Sequence, residues 1–509
     1  MSISAPAMSR QVLILLGCLI SVVPLTVGQS GAWLEVSTPH FLVVSNAPAP
    51  DARLTAHKFE AMRSVFQRVF PGADLQTASP ILVLAVQDKR SFQALEPAEY
   101  LATGQLDLIG LFSASPENNY VLILLDAPGT HPYAPIFHEY AHFVFGRLPK
   151  WMPLWLSEGI AEFFQNTEIL GDKIRLGKGD PGIQATIERI RLLPLSTLFT
   201  VDARSPFYHD QDKGSIFYAE SWALTHYLKD KDDAEHTHRI ADYLEQLQKT
   251  PDPVAAARQA FGDLNQLEAV FRRHALNGQY AVSEISGSTV VDDTSFSVQP
   301  ISQQQADTFR ADFLAHQGRA SEARALLQPI LHDDPINADA RQTMGYIAFV
   351  EKNFDEAQKW CHEAIQLDPN NFIAHYFFAA ASIRKGVSDK ASQAAVEESL
   401  RAAIRINPSF APAYDALAIF LTMRGTNLDE ARQLIDKAVQ LGPGVPEIRI
   451  DQSQILARMN KTKEAIEVLE RALKMCHTPE QSAAVEKVLA TLRNSEVEQS
   501  RPRRSAGTH

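Results

Sequence analysis

The pattern of apolar and polar positions divides the chain. Over the first third, short runs of strand type alternate with helical stretches, and from Ile183 onward the helical period dominates. The run "WLEVSTPHFLVVS" from Trp33 alternates apolar and polar residues and is rich in β-branched side chains, which predicts one strand or a hairpin. "DARLTAHKFEAMRSVFQRVF" predicts a helix with Leu54, Phe59, Met62, Val65 and Phe66 on one face and Asp51 as its N-cap. "ILVLAVQ" and "YVLILLD" read as buried strands. "APIFHEYAHFVFGRL" predicts a helix ending near Gly146, "WLSEGIAEFFQN" the next, and "YAESWALTHYLKD" the clearest helix after them. A small sheet followed by helices, over residues 31–285, is an α+β arrangement.

Residues 286–300 have the composition of a linker, and beyond Ile301 the chain repeats itself. Pro335, Pro369, Pro408 and Pro443 each close a unit, and small residues recur at fixed distances before them: Ala357 and Ala364 before Pro369, Ala431 and Ala438 before Pro443. Gly345, Ala379 and Ala418 take the small-residue position of the first helix of their units. Small residues at such places let paired helices pack closely, and proline ends the second helix. The pattern resembles the tetratricopeptide repeat. It predicts an all-α solenoid over residues 301–493, of five units and a capping helix, with a disordered tail over residues 494–509.

Composition narrows the classes of function. With 48 Lys+Arg against 60 Asp+Glu the net charge is -12, which argues against a nucleic-acid binder. Three cysteines (Cys18, Cys361, Cys476) are too few for a disulfide framework, and the latter two fit small packing positions. "MSRQVLILLGCLISVVPLTVGQS" has a charged start, a short apolar run broken by Pro24 and small residues at cleavage positions. Residues 1–28 are therefore expected to be a signal peptide, and the protein secreted or periplasmic. A membrane attachment is expected only if the signal stays uncleaved or Cys18 is lipidated.

The chemistry centres on "FHEYAHFVF". His138 and His142 are four apart, so on a helix they lie one above the other and can chelate one ion, with Glu139 one step round beside an ion-activated water. A catalytic zinc needs a third protein ligand and an open position. Glu158 follows His142 by sixteen residues, in "LWLSEGIAEFF", and Gly146, Pro149 and Pro153 between them allow the chain to reverse. "HEYAH…WLSEGIAEFF" resembles the gluzincin metallopeptidases, and specifically the peptidase MA-like family of secreted bacterial proteins, with thermolysin and the aminopeptidase N group as distant relatives. The resemblance spans about residues 33–280, though its sharp motifs are those two helices and "FYAESWALTHYL". It implies a zincin-like fold, one Zn2+ per chain on His138, His142 and Glu158, Glu139 as general base, and Glu162 as the carboxylate that fixes a ligand histidine. It also makes Tyr218, sixty residues after Glu158, the donor to the oxyanion, with His209 and His226 as rivals. The gap from His142 to Glu158 is shorter than in the aminopeptidases, which implies a tighter helix crossing.

Two functions from different classes follow. One is a zinc peptidase acting on a peptide or protein substrate, with repeats that recruit substrate or a protein partner. The other is a scaffold whose zincin module is non-catalytic or highly selective and whose repeats are the purpose. "SPENNY" before "VLILLD" offers Glu117 and Asn118 either as a substrate-side edge or as a plain polar turn.

Overall fold

The computed structural model describes residues 32–500 apart from 98–108, 116, 128–132, 149–151, 171–172, 180, 203–204, 210, 251, 287–290 and 477. Residues 1–28, expected to be a signal peptide, therefore lie outside the described residues. Among those described, no helix is long and apolar enough to cross a membrane.

Nine strands are described: β1 (Trp33–Ser37), β2 (Phe41–Ser45), β3 (Ile81–Val86), β4 (Gly110–Ala114), β5 (Asn119–Leu124), β6 (Glu168–Leu170), β7 (Lys173–Leu176), β8 (Ser283–Ser286) and β9 (Ser297–Ile301). The main sheet has the order β4-β5-β3-β2-β1-β9. β3 lies parallel to β2 and β5, and the outer pairings are antiparallel. β6, β7 and β8 form a second, small sheet.

β3 is "ILVLAV", buried throughout, because the sheet is covered on both faces. Alternate residues point opposite ways along a strand. Phe41, Val43, Val83, Ala85, Val121 and Ile123 join the core that holds the helices Ala49–Val69, Ala134–Phe145, Leu154–Gln165 and Gln211–Glu235. Val44, Leu82, Leu84, Leu122 and Leu124 face the other way, into a core shared with Ala306, Phe313, Leu314, Leu327 and Ile330 of the first repeat.

The C-terminal half is five antiparallel helix pairs (Gln303–His316 with Ala320–Asp333, Ala338–Val350 with Phe354–Leu367, Phe372–Lys385 with Lys390–Ile406, Ala411–Met423 with Leu428–Leu441, Pro446–Arg458 with Thr462–Lys474) and a last helix, Pro479–Ser500. Gly345 shows why small residues recur. A Cβ there would come within 2.4 Å of Cys361 Sγ in the paired helix. Cys361 and Cys476 are free and buried in this packing.

Four sequence expectations are corrected. Leu54 is 51% exposed, because five residues at about 100° each put it far round the helix from Phe59. The cap of that helix is Pro48 and not Asp51, which lies in its first turn. Residues 286–300 are not a plain linker: β9 pairs along its whole length with β1 and leads through the capping box of Ser302 and Gln305 into the first repeat helix. β9 hid from the pattern because four of its five side chains are exposed, so backbone pairing alone makes it a strand. Residues 494–500 are helical and not disordered, being the end of Pro479–Ser500.

Candidate metal centre

Two helices carry the donor set. In Ala134–Phe145, Pro135 starts the first turn and Gly146 caps the end. Ile136, Phe137, Tyr140, Ala141 and Val144 are buried, and Tyr140 packs against Phe66 and Phe112 with ring centroids 5.4 and 5.9 Å apart. That burial turns His138 and His142 toward the next helix, Leu154–Gln165. Gly159 in that second helix is required by packing: a Cβ would lie 2.2 Å from Thr225 Oγ1 and 2.4 Å from the Ser221 carbonyl oxygen of Gln211–Glu235. The close crossing seats Glu158 in the core, 2% exposed.

Three donor atoms meet. His138 Nε2 and His142 Nε2 are 3.2 Å apart, and Glu158 Oε2 lies 3.2 Å from His142 Nε2 and 3.3 Å from His138 Nε2. Tetrahedral zinc with bonds of about 2.0–2.1 Å spaces its ligand atoms about 3.3–3.4 Å apart. The triangle therefore has the size for three ligand atoms of one such ion. Among the described residues this is the one group of three metal-ligating side chains that comes together.

The surroundings orient the donors. Ser157 Oγ lies 3.1 Å from His142 Nδ1. Glu162 Oε1 faces His138 Nδ1 at 3.6 Å, and that buried nitrogen has no hydrogen-bond partner. Glu162 also accepts from Gln165 Nε2 at 3.0 Å. Tyr208 donates to Glu158 Oε1 at 3.1 Å, and the Tyr218 hydroxyl is hydrogen-bonded to Tyr208. Glu139 is exposed beside the triangle.

Electrostatics favour a cation at this point. Burial alone would raise the Glu158 carboxyl, but the charge of His142 and hydrogen bonds to both imidazoles hold it well below the carboxylate range. Burial alone would lower His138, but its hydrogen bond to Glu158, with the charges of Glu158, Glu162 and Glu139, raises it to about 9. Without an ion the pocket thus takes up a proton, which zinc must displace. Zinc affinity of the metal-free protein is expected to rise about tenfold per unit from pH 7 to near pH 9 and then level off. A chelator competition corrected for the chelator's own protonation measures it, and a flat profile would contradict a protonated His138.

Of the sequence-predicted residues, His138, His142 and Glu158 come together, Glu162 faces His138, and Tyr218 lies within charge reach of Glu158 and is hydrogen-bonded to Tyr208. His226 is removed as an oxyanion donor. It is fully buried, with Nδ1 3.1 Å from Asp230 and Nε2 3.1 Å from the Gly177 carbonyl, so both nitrogens are engaged in structure. The His209 side chain lies outside the described set. Glu117 and Asn118 turn away from a substrate-edge role: Asn118 Nδ2 donates to Tyr120 Oη at 3.1 Å, and Glu117 sits beside His316 of the repeats. Sequence reasoning missed Tyr208, Ser157 and Gly159. Ser157 and Gly159 flank the ligand glutamate in the motif itself, whereas Tyr208 lies in the four-residue helix Pro206–His209, which has no periodicity to read.

Comparison with known proteins reaches the repeat half. Residues 314–363 and 446–476 each match a tetratricopeptide repeat family model. Protein O-mannosyl-transferase TMTC3 of Mus musculus and of Homo sapiens is 26% identical over 148 residues, 27% of this chain and 16% of the relative's length. The solved structure of TTC0263, a thermophilic TPR protein of Thermus thermophilus, is 18% identical and covers 37% of this chain and 99% of its own, with a TM-score of 0.33. YrrB, a TPR protein described as having an unusual peptide-binding site, is 18% identical and covers 36% of this chain and 91% of its own, with a TM-score of 0.29. The C-terminal half of the chain carries tetratricopeptide repeats.

Proposed function

We propose that the protein is a secreted or periplasmic zinc-dependent peptidase, and that its tetratricopeptide repeats recruit a substrate or partner protein. One observation carries the reading: the triangle of His138 Nε2, His142 Nε2 and Glu158 Oε2, sized for three ligand atoms of one zinc. Zinc bound there would polarise the scissile carbonyl and lower the pKa of a water molecule toward neutrality. Glu139, exposed and one residue from His138, accepts the proton of the attacking water and returns it to the leaving amine. Ser157 holds the His142 imidazole at Nδ1, Glu162 faces His138 Nδ1 at 3.6 Å, and Tyr208 holds the second carboxylate oxygen of Glu158.

The test is metal content. The purified protein should carry about one zinc per chain, and His138→Ala or His142→Ala should release most of it. A double histidine variant that keeps its metal would refute the centre.

The two tyrosines separate by experiment. Tyr218→Phe should lower turnover about 10²–10³-fold with little change in substrate binding, as for a donor acting on the oxyanion. Tyr208→Phe should instead weaken zinc binding, since it frees one oxygen of a metal-ligating carboxylate. Unchanged turnover in Tyr218→Phe would leave the oxyanion to Tyr208 or to backbone amides.

A second reading has its own support: both family matches fall within the repeats, and arrays of this kind bind proteins. In it the protein is a binding module whose metal centre is non-catalytic or highly selective.

A further inference from the structure

The first helices of successive repeats pack against one another in series and line one face of the array. Gln342, Tyr376 and Asp415 each hold the fifth position of their helix, and Asp451 the sixth of the last, so they form a row along that face. The turn between β4 and β5 reaches the near end of the row, where Glu117 sits beside His316. The Tyr376 hydroxyl lies within charge–charge reach of Glu117 on one side and of Asp415 and Asp451 on the other.

Buried polar atoms in this row lack hydrogen-bond partners. The His316 side chain is 3% exposed and stacks on Tyr346 with centroids 3.9 Å apart and planes at 8°. Its Nδ1 lies 2.9 Å from Tyr120 Oη, whose own hydrogen goes to Asp312 Oδ2, and 2.9 Å from the Asp312 carbonyl oxygen. Both neighbours are acceptors, so Nδ1 carries the hydrogen. Nε2, also buried, has no hydrogen-bond partner. Asp415 Oδ1 is buried with no hydrogen-bond partner, and the Asp415 carboxyl, raised well above its ordinary value by burial and by the Asp451 charge, shares a carboxyl–carboxyl hydrogen bond with Asp451. Gln342 Nε2, a donor, is unpartnered as well. Arg384 is a cation that reaches Asp451 and Tyr376, amid the carboxyls of Glu117, Asp312, Asp415 and Asp451.

We propose that this acidic row with an aromatic floor binds an extended basic peptide segment. One Lys or Arg side chain would lie between Asp415 and Asp451, a second N–H donor would meet Glu117 beside His316, and a backbone carbonyl would accept from Gln342. The inference rests on the reading of the repeats as a protein-binding array and names the chemistry of the partner. Burial pushes the Asp451 carboxyl up to about 6, against the pull of Arg384 and of its hydrogen bond with Asp415. Among the described residues no third metal-ligating group joins the aspartates, which favours an ammonium or guanidinium over a metal ion. An anionic partner would meet like charge.

The experiment uses the full chain and fluorescence anisotropy. The probe is a short labelled peptide that alternates arginine with alanine, beside versions with glutamine or glutamate in place of arginine. The arginine peptide should bind, weaken as salt is raised, and lose at least about tenfold in affinity to the Asp415→Asn/Asp451→Asn double variant. Those amides preserve shape and supply donors, so the fold should survive. Glu117→Gln, in a different element, should weaken the same peptide on its own. Equal binding by the double variant would overturn the proposal. A glutamine or glutamate peptide that binds as tightly, and is lost in Tyr376→Ala, would overturn the basic partner yet leave the repeats a peptide-binding array. Failure of the wild type to bind any of the three peptides would overturn both.

Discussion

Glu139→Gln is expected to keep one zinc per chain and its native circular dichroism while hydrolysis falls by about 10³-fold or more, because glutamine has the shape of the base but accepts no proton. The variant separates ligation from chemistry because Glu139 is exposed and lies outside the donor triangle. The contacts that hold the triangle, from Ser157 to His142, from Glu162 toward His138 and from Tyr208 to Glu158, do not pass through it. Metal analysis and turnover on a broad peptide library make the measurement. A variant as fast as the wild type would remove Glu139 as base. A wild type that cleaves nothing in the library, with zinc in place, would favour the binding-module reading.

The donor set was legible in the sequence because helical spacing is rigid. Residues four apart share a face whatever the surroundings, and two apolar stripes fix which way each helix turns. The parts that were not legible depend on distant groups. Gly159 is a helix interior glycine, which local propensity disfavours, and only the approach of Ser221 and Thr225 explains it. Tyr208 reaches Glu158 across fifty residues from a short segment. The buried strands β3 and β5 announced themselves as apolar runs, whereas β9 is polar and becomes a strand only by pairing with β1. That miss mattered most. It made the two halves look separable, as though the repeats could fold alone and the N-terminal half keep its zinc without them.

Chains cut back to end before the first repeat helix should fail to fold and to hold zinc. The sheet would lose the cover of Ala306, Phe313, Leu314, Leu327 and Ile330, exposing Leu82, Leu84, Leu122 and Leu124 on its second face. Each such side chain contributes about 1.5–3 kcal/mol when buried. Four together are comparable with the whole stability of a domain, about 5–15 kcal/mol. Polar ties add to the loss. Tyr120 donates to Asp312 at 2.7 Å, Arg319 donates to the carbonyl oxygens of Ala94 and Glu96 at 3.0 and 2.7 Å, and Asn407 donates to that of Ala78 at 2.6 Å. One tie reaches the metal centre: the Gly444 amide donates to the Gly146 carbonyl at 3.0 Å, at the end of the helix that carries His138 and His142. Gly444 has no room for a side chain there, since a Cβ would stand 2.7 Å from that oxygen. A protease that nicks the chain between β8 and β9 should therefore leave two pieces that elute together on gel filtration with zinc retained. An N-terminal piece that elutes alone, folded, with zinc and full efficiency on short peptides, would restore the separable picture. Loss of zinc on removal of the repeats would instead mean that the array is part of the frame on which the ligand helices stand.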